Sequence, residues 1–109
     1  MPLPDMTRLQ FQVLAILLEG EQSGRSLRAK LAEEGERKSG PAFYQMMARL
    51  EDAKWVEGWY EQKTVEGQAI KERRYKITGS GATAWEAIRN FYAERAKEAR
   101  RFGKGFATA

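Results

Sequence analysis

Residues 39–78 restrict the possible folds of this chain more than any other part of its sequence. They open with Ser-Gly-Pro, a helix-start pattern, because proline is accepted in a first helical turn, where its missing N–H would have no partner. Two segments rich in aromatic and β-branched residues follow, 55–64 and 70–78, with a predicted turn at 65–68 between them. This part of the chain therefore predicts one helix followed directly by a β-hairpin.

Two further helices are predicted before this stretch. Thr7 and Gln10 are spaced as a capping box, which predicts a first helix starting at Thr7, and the apolar residues of that helix lie on more than one face. One face would contact the domain core, and the other could contact a partner chain. A second helix is predicted to begin near Ser23, its cap, and to end at Gly35. In the third helix, the residues expected to face the core are Phe43, Met46, Met47 and Leu50.

The last predicted helix spans roughly residues 82–102 and carries a heptad pattern interrupted by Arg95. Because the small domain already has a core, we expect this helix to pack against a second chain. We therefore divide the chain into a winged helix-turn-helix DNA-binding domain at 1–78, a C-terminal dimerisation helix at 79–103 and a flexible tail at 104–109. The predicted fold class is mainly α with a small β-hairpin: a winged helix-turn-helix plus a long C-terminal dimerisation helix.

Composition argues against several kinds of chemistry. The chain has no Cys and no His, so disulfides, thiol chemistry, the common zinc sites and the usual general base at neutral pH are absent. No glycine loop or spaced carboxylate pair indicates an enzyme, and we expect no catalytic residue, cofactor or metal. No run reaches the length of a membrane span and no secretion signal is recognisable, so we expect a cytoplasmic protein with no membrane partner. The net charge of +4 permits nucleic-acid binding without establishing it.

Four features follow one another along the chain. They are an apolar first helix at 9–18, a Gly-containing entry to helix two at 23–27, the patterns Ser-Gly-Pro-Ala-Phe-Tyr at 39–44 and Arg-Leu-Glu at 49–51 in helix three, and a wing that ends in Arg-Arg-Tyr-Lys-Ile-Thr at 73–78 and is followed by Gly81. In these features the sequence resembles the PadR-like family of winged helix-turn-helix transcriptional regulators. The resemblance implies a homodimer, joined through the C-terminal helix, that binds double-stranded DNA and acts mostly as a repressor. Arg25 stands where the family usually has Tyr, and Gln45 where it often has Pro, so the operator sequence does not carry over.

In this interpretation helix three enters the major groove and the wing reaches flanking DNA. Gln45 could pair with an adenine edge, Arg49 with a guanine edge or a phosphate, and Tyr44 with a phosphate. Arg73 and Arg74 lie further back and would support the wing instead. The predicted DNA-binding residues are Arg25, Arg28, Arg37, Lys38, Ser39, Gly40, Pro41, Tyr44, Gln45, Arg49, Lys63, Thr64, Gln68 and Lys71. For each single charge, the alternative is an ordinary solvated surface residue.

A dimer interface is predicted on the apolar face of the last helix and the second face of helix one. Its predicted residues are Phe11, Leu14, Leu18, Trp85, Ile88, Tyr92, Arg95, Ala99 and Phe102. Trp85 is interpreted as an anchor of this interface, with a pocket for a small aromatic effector as the alternative. The basic residues of the last helix either flank the duplex or are solvated, and routine basic residues at helix ends favour the second interpretation.

A different class of function remains open beside DNA binding. Winged helices also serve as protein-interaction modules that have lost DNA binding, and the mild charge of helix three, with Glu51 and Asp52 close behind it, suggests this alternative. An enzyme is the third hypothesis and has no motif in its favour.

Overall fold

The computed structural model of the chain describes residues 2–102, and the predicted tail at 104–109 lies outside them. Within the described residues there are four helices and three strands: α1 (Arg8–Leu18), β1 (Gln22–Ser23), α2 (Gly24–Glu33), α3 (Gly40–Asp52), β2 (Val56–Val65), β3 (Gln68–Ile77) and α4 (Gly79–Phe102). This order confirms the predicted fold class, a winged helix-turn-helix followed by one long helix. No helix between residues 2 and 102 is both long and apolar enough to cross a membrane.

Side-chain caps define where the first three helices begin. The Thr7 hydroxyl accepts from the backbone N–H of Gln10 at 3.1 Å, and the Gln10 side chain accepts from the Thr7 N–H at 3.0 Å, which confirms the predicted capping box. Ser23 caps α2 by accepting from the backbone N–H of Ser26, and Ser39 caps α3 by accepting from that of Ala42. Each cap satisfies a backbone N–H that has no partner within its helix.

The core lies where the first three helices meet the base of the hairpin. The residues predicted to face inward on α3 are all buried, and Phe43 packs edge to face against Tyr75 of β3 at a centroid distance of 6.5 Å. Met6, Leu9 and Trp85 pack against the edge of this core. Its buried members are Val13, Leu14, Ile16, Leu17, Leu27, Leu31, Phe43, Met46, Met47, Leu50, Val56 and Tyr75.

The wing is a hairpin of two ten-residue strands joined by a two-residue turn. Val65 pairs with Gln68, so the turn consists of Glu66 and Gly67, with φ angles of 51° and 79°. Two consecutive positive φ values are the requirement of a type I′ turn, whose twist matches that of the flanking strands. The prediction of a tight turn at 65–68 is therefore confirmed, and Gly67 holds the position where a side chain would be most strained.

A third, very short strand was not predicted. Gln22 and Ser23 form β1, which pairs antiparallel with Tyr75 and Arg74 of β3, so the order of strands in the sheet is β1-β3-β2. Two residues are too few for an alternating pattern to be recognised, and Ser23 also carries the helix-cap signal. This pairing fixes the start of α2 against the middle strand of the sheet.

The long helix α4 begins at Gly79, three residues before the predicted start at residue 82. Thr78 explains the difference: its hydroxyl accepts from the N–H of Gly81 at 2.9 Å and donates to the carbonyl of Lys54 at 2.6 Å. The described molecule is 62 Å long in its largest dimension. At 1.5 Å per residue, α4 accounts for about 36 Å. Its second half extends beyond the domain core, and Phe91, Tyr92 and Phe102 are exposed there.

Candidate nucleic-acid interface

The outward face of α3 presents polar, small and aromatic side chains next to one another. Tyr44, Gln45, Ala48 and Arg49 are exposed, as the sequence predicts, while the opposite face of the helix lies in the core. Ser39 and Pro41 at the start of α3 are also exposed, and Gly40 is half-buried. Free backbone N–H groups at such a helix start favour an anionic ligand. Arg49 is the only cation within α3, so the helix by itself has little positive charge.

Four cations surround a shallow depression beside the start of α3. This depression, of about 410 Å³, is lined by Arg25 and Arg28 of α2, by Arg37 and Lys38 of the α2–α3 turn, and by Tyr44. The Arg28 guanidinium also donates to the carbonyl of Lys38 at 3.0 Å, so it holds the turn in place. None of the described residues that line the depression carries a carboxylate, which makes it suited to bind anionic groups such as phosphates.

Tyr44 is the residue around which these features are arranged. It lines the basic depression, a cleft of about 220 Å³ leading to the wing, and a further cleft of about 500 Å³ between α3 and the wing. A Cβ placed on Gly24 would lie 2.8 Å from the Tyr44 hydroxyl and 3.1 Å from its ring, so a larger residue at the start of α2 would displace the Tyr44 side chain. The glycine in the entry to helix two therefore has a direct steric role.

The wing brings two more predicted cations to the same surface. Lys63 and Lys71 line the cleft that also contains Arg25 and Tyr44. Val65, Ile70, Arg73 and Glu72 complete its lining, and the Glu72 carboxylate lies 3.8 Å from the Lys63 ammonium. Thr64 and Gln68 lie next to the turn and are exposed. They line none of these three clefts, and neither do Gln45 and Arg49. Six predicted cations thus form one continuous surface, called here the basic face: Arg25, Arg28, Arg37, Lys38, Lys63 and Lys71.

Arg73 and Arg74 are both held by carboxylates, in agreement with the expectation that they support the wing. Arg74 lies 3.1 Å from Glu61, 3.2 Å from Glu72 and 3.6 Å from Glu21. Arg73 lies on the other face of β3, where its guanidinium is 2.7 Å from the carboxylate of Glu51.

The surroundings of Arg73 change the titration of this cluster. Burial by itself would lower the pKa of Arg73, but its interaction with Tyr75 and the negative charge of Glu51 outweigh burial and raise the pKa above its usual value. Burial raises the pKa of Tyr75, although the adjacent Arg73 opposes the increase. At neutral pH the cluster therefore contains a charged guanidinium and a neutral phenol.

One predicted interface residue is wrong because of its burial. Leu14 is fully buried in the core of its own chain, so it has no surface to offer a partner. Ile88 is also buried, against the first part of the fold, and adds little to such a surface. Leu18, Tyr92 and Phe102 are exposed, as are Arg95 and, in part, Phe11 and Ala99.

Trp85 is engaged within its own chain. Its ring stacks on Phe11 with a centroid distance of 4.9 Å and an interplanar angle of 14°, and its indole N–H donates to the Phe11 carbonyl at 3.1 Å. One ring face and the single donor of the side chain are thus already used. A flat aromatic ligand could stack only on the Trp85 ring face that does not contact Phe11.

The positive charge of α4 is partly balanced along the helix itself. Arg89 pairs with Glu86, Arg95 with Glu98, and Lys97 with Glu94, each three residues apart and all exposed. Such pairs contribute little to stability and are typical of a solvated surface. Among the described residues no group of Asp and Glu side chains is arranged to hold a metal ion.

Sequence reasoning missed the link between α3 and the wing. In the sequence, Glu51 belongs to the Arg-Leu-Glu pattern and, with Asp52, suggests the protein-interaction alternative, while no pattern predicts a site role for Tyr60 or Gly58. Their proximity depends on the register of the hairpin, in which Gly58 is opposite Tyr75 and Tyr60 is opposite Arg73. A glycine within a strand signals close approach of another group, and that signal was available in the sequence.

Comparison with known proteins identifies the fold. No protein-family model and no curated protein matches the sequence. A PadR-like transcription factor from Bacteroides fragilis has a TM-score of 0.71 and 17% identity, with 87% of this chain and 89% of that chain covered. A PadR-like transcriptional regulator from Bacillus cereus has a TM-score of 0.67 and 23% identity, with 88% of this chain and 91% of that chain covered. The circadian clock associated protein Pex from Anabaena has a TM-score of 0.53 and 26% identity, with 87% of this chain and 89% of that chain covered. The resemblance found in the sequence is thus confirmed for the fold.

Proposed function

We propose that this chain, which has the fold of the PadR-like transcriptional regulators, is itself a sequence-specific DNA-binding regulator that acts as a homodimeric repressor. Helix α3 enters the major groove, and the wing contacts flanking DNA. Gln45 and Arg49 contact base edges, while the basic face binds the phosphate backbone on both sides of the groove. The two chains of the dimer contact each other through α4.

The observation that carries this proposal is the continuity of the basic face. Cations from α2, from the α2–α3 turn and from both wing strands line two adjoining depressions that share Arg25 and Tyr44. They are far apart in the sequence, and a surface that was merely solvated would not require them to lie together. Neutralising phosphates with such cations gives a large share of the affinity of a DNA-binding protein.

A protein-interaction module without DNA binding is the second candidate, and its main support is weakened. That hypothesis rested on Glu51 and Asp52 behind α3. Glu51 is paired with Arg73 at 2.7 Å, so its charge is compensated within the chain. Asp52 alone is a modest charge at the far end of the helix. A small aromatic effector at Trp85 remains part of the proposal only for the ring face that does not stack on Phe11.

The test is titration of the protein against duplexes that tile the region upstream of its own gene, by fluorescence anisotropy at two salt concentrations. We expect one tile to bind tightly, with two chains per duplex, and to bind more weakly as salt increases. Lys71→Gln should weaken binding to every tile and reduce the slope of log affinity against log salt by about 0.9, the effect of one lost phosphate contact.

A matched control lies on the same strand. Lys76 is on the opposite face of β3 and pairs with Glu57 at 3.7 Å. Lys76→Gln makes the same chemical change away from the basic face, so the salt slope should stay at the wild-type value. Equal effects of the two substitutions would mean that only net charge matters. Absence of binding to any duplex at low salt would reject DNA binding and favour the protein-interaction module.

A further inference from the structure

One ion pair joins the end of α3 to the middle of the wing. The Glu51 carboxylate is 2.7 Å from the guanidinium of Arg73, and each side chain is about one-quarter exposed, at 26% and 24%. The same guanidinium lies 4.8 Å from the ring centroid of Tyr60 and 5.5 Å from that of Tyr75. Arg73 is therefore fixed by a charge and two aromatic faces, which together restrict its position more than an exposed ion pair would.

The absence of a side chain at Gly58 leaves the space that the Glu51–Arg73 ion pair occupies. A Cβ placed on Gly58 of β2 would lie 2.8 Å from the guanidinium of Arg73 and 3.0 Å from the Tyr75 ring, and it would collide with the Glu51 carboxylate. Any side chain at position 58 would push these groups apart. The glycine, the ion pair and the two rings are separate features of three elements, and all of them favour the same contact.

The position of this ion pair matters because, beyond it, α3 and the outer wing are separated by a cleft. A cleft of about 500 Å³ separates them, lined by Tyr44, Ala48 and Lys71 as well as by the ion pair. Residues 61–71 of the hairpin are all exposed and have no core to hold them. The angle between the helix and the outer wing thus depends on the few groups that cross between the two elements.

We propose that the Glu51–Arg73 pair is a positioning device that holds the wing at the angle at which wing and α3 contact the same duplex. Arg73 acts through this pair and does not contact phosphate. The inference rests on the proposed DNA binding for its functional consequence. Its structural part, a fixed wing angle, can be measured without DNA.

This assignment makes a prediction opposite in sign to simple electrostatics. Glu51 is a negative charge beside the DNA-facing surface, so removing it would strengthen DNA binding if charge alone mattered. If Glu51 positions the wing, Glu51→Gln must weaken binding instead, since the wing then loses its fixed angle. We expect about a tenfold loss of affinity, the scale of one charge-assisted hydrogen bond. The salt slope should remain unchanged, because no phosphate contact is lost.

The matched control is Asp52→Asn, which removes the neighbouring negative charge of the same helix without touching the pair. We expect it to leave binding unchanged or to strengthen it slightly. Tyr60→Leu is a second test that spares the core, because Tyr60 is 66% exposed. It removes one of the rings beside Arg73 and should also weaken binding without changing the slope. Circular dichroism establishes that each variant is folded.

The wing angle itself is measured by pulsed electron paramagnetic resonance. The chain has no native cysteine, so Gln45→Cys on α3, at a position that lines none of the three clefts, and Thr64→Cys on the wing give two spin labels, diluted with unlabelled chain. We expect a narrow distance distribution that broadens when Glu51→Gln or Tyr60→Leu is added and stays narrow with Asp52→Asn. An unchanged distribution in both variants would overturn the positioning role whether or not DNA binds.

The DNA titration then separates the two proposals. Tight wild-type binding together with equal or tighter binding of Glu51→Gln would overturn the inference and leave the proposed function intact. If the distance distributions of Glu51→Gln and Tyr60→Leu broaden but the wild-type protein binds no duplex, the pair does position the wing and the proposed function is rejected.

Discussion

At the scale of single residues, one glycine sets how closely α4 approaches the rest of the fold. A Cβ on Gly81 would collide with the backbone carbonyl of Trp55 and lie 2.9 Å from the Ile77 side chain. Backbone cannot move aside as a flexible side chain can. Thr78 holds the same junction by its two hydrogen bonds.

We therefore expect Gly81→Ala to lower the free energy of unfolding by about 2 kcal/mol, the usual cost of forcing an extra methyl group into a packed site. Gly79→Ala is the control, because nothing lies within 4 Å of a Cβ there. It should be neutral or stabilise by about 0.5 kcal/mol through helix propensity. Urea unfolding followed by circular dichroism measures both. Equal stability of Gly81→Ala and wild type would mean that α4 can shift to make room.

Residue-level features were predictable from the sequence only where they depend on near neighbours in the chain. The capping box at Thr7 and the cap at Ser23 each involve groups three residues apart, and both were predicted correctly. The contact of Gly81 with Trp55 and the contact of Gly24 with Tyr44 join distant segments. Their geometry depends on how the elements pack, which local propensity does not determine.

At the scale of elements, the outer face of the wing is held by Arg74. Its guanidinium lies close to carboxylates from three places: Glu61 of β2, Glu72 of β3, and Glu21 just before β1. The side chain is 23% exposed, which reduces screening by water relative to a fully exposed pair. Removing the cation would leave Glu21 and Glu61 near each other without this partner, and Glu72 would keep only Lys63, at 3.8 Å.

Arg74→Gln should consequently destabilise the fold by about 1–2 kcal/mol, more than the 0–1 kcal/mol typical of one exposed pair. Lys76→Gln provides the comparison, since Lys76 has one exposed carboxylate partner on the same strand. We expect it to change stability by less than about 0.5 kcal/mol. Thermal unfolding at low and high salt distinguishes the two, because salt should reduce the difference. A loss for Lys76→Gln as large as that for Arg74→Gln would contradict the role of the network.

The elements differ in how well the sequence predicts them, and length is the main reason. The three helices of the domain and the hairpin each contain several repeats of their own period, so their type and approximate bounds were predicted correctly. Strand β1 has two residues and no period. The start of α4 was placed too late because Gly79, Ser80 and Gly81 resemble a loop in composition, whereas the Thr78 cap and the packing against Trp55 keep them helical.

At the scale of the whole molecule, the sequence indicated which residues could bind DNA but not how they are arranged. The motif placed the basic residues on α2, its turn and the wing, whereas their meeting around Tyr44 follows from tertiary packing. The assignment of Leu14 to a dimer surface failed for the same reason. A helix that is apolar on two sides indicates two buried faces, but it does not indicate which residues the domain's own core will use.

The second half of α4 exposes three large aromatic side chains. Phe91 is 41% exposed, Tyr92 64% and Phe102 80%, on a helix that extends beyond the core. Exposed aromatic residues in helical register are typical of a surface that contacts a second chain. Tyr92, Ala99 and Phe102 continue one stripe, and Arg95 is its single charged position.

We expect the protein to be a dimer at micromolar concentration and Tyr92→Glu to raise its dissociation constant at least about tenfold, because a carboxylate in an apolar seam loses its hydration without gaining a partner. Asn90→Glu adds the same charge about half a turn away and should leave the dimer intact. Sedimentation velocity over a dilution series measures both. A wild-type chain that stays monomeric, or equal dissociation of the two variants, would exclude this stripe as the contact.

Loss of the dimer should also change DNA binding. With the dimer dissociated, no single molecule spans both half-sites, so Tyr92→Glu chains should bind the duplex independently, one at a time and more weakly.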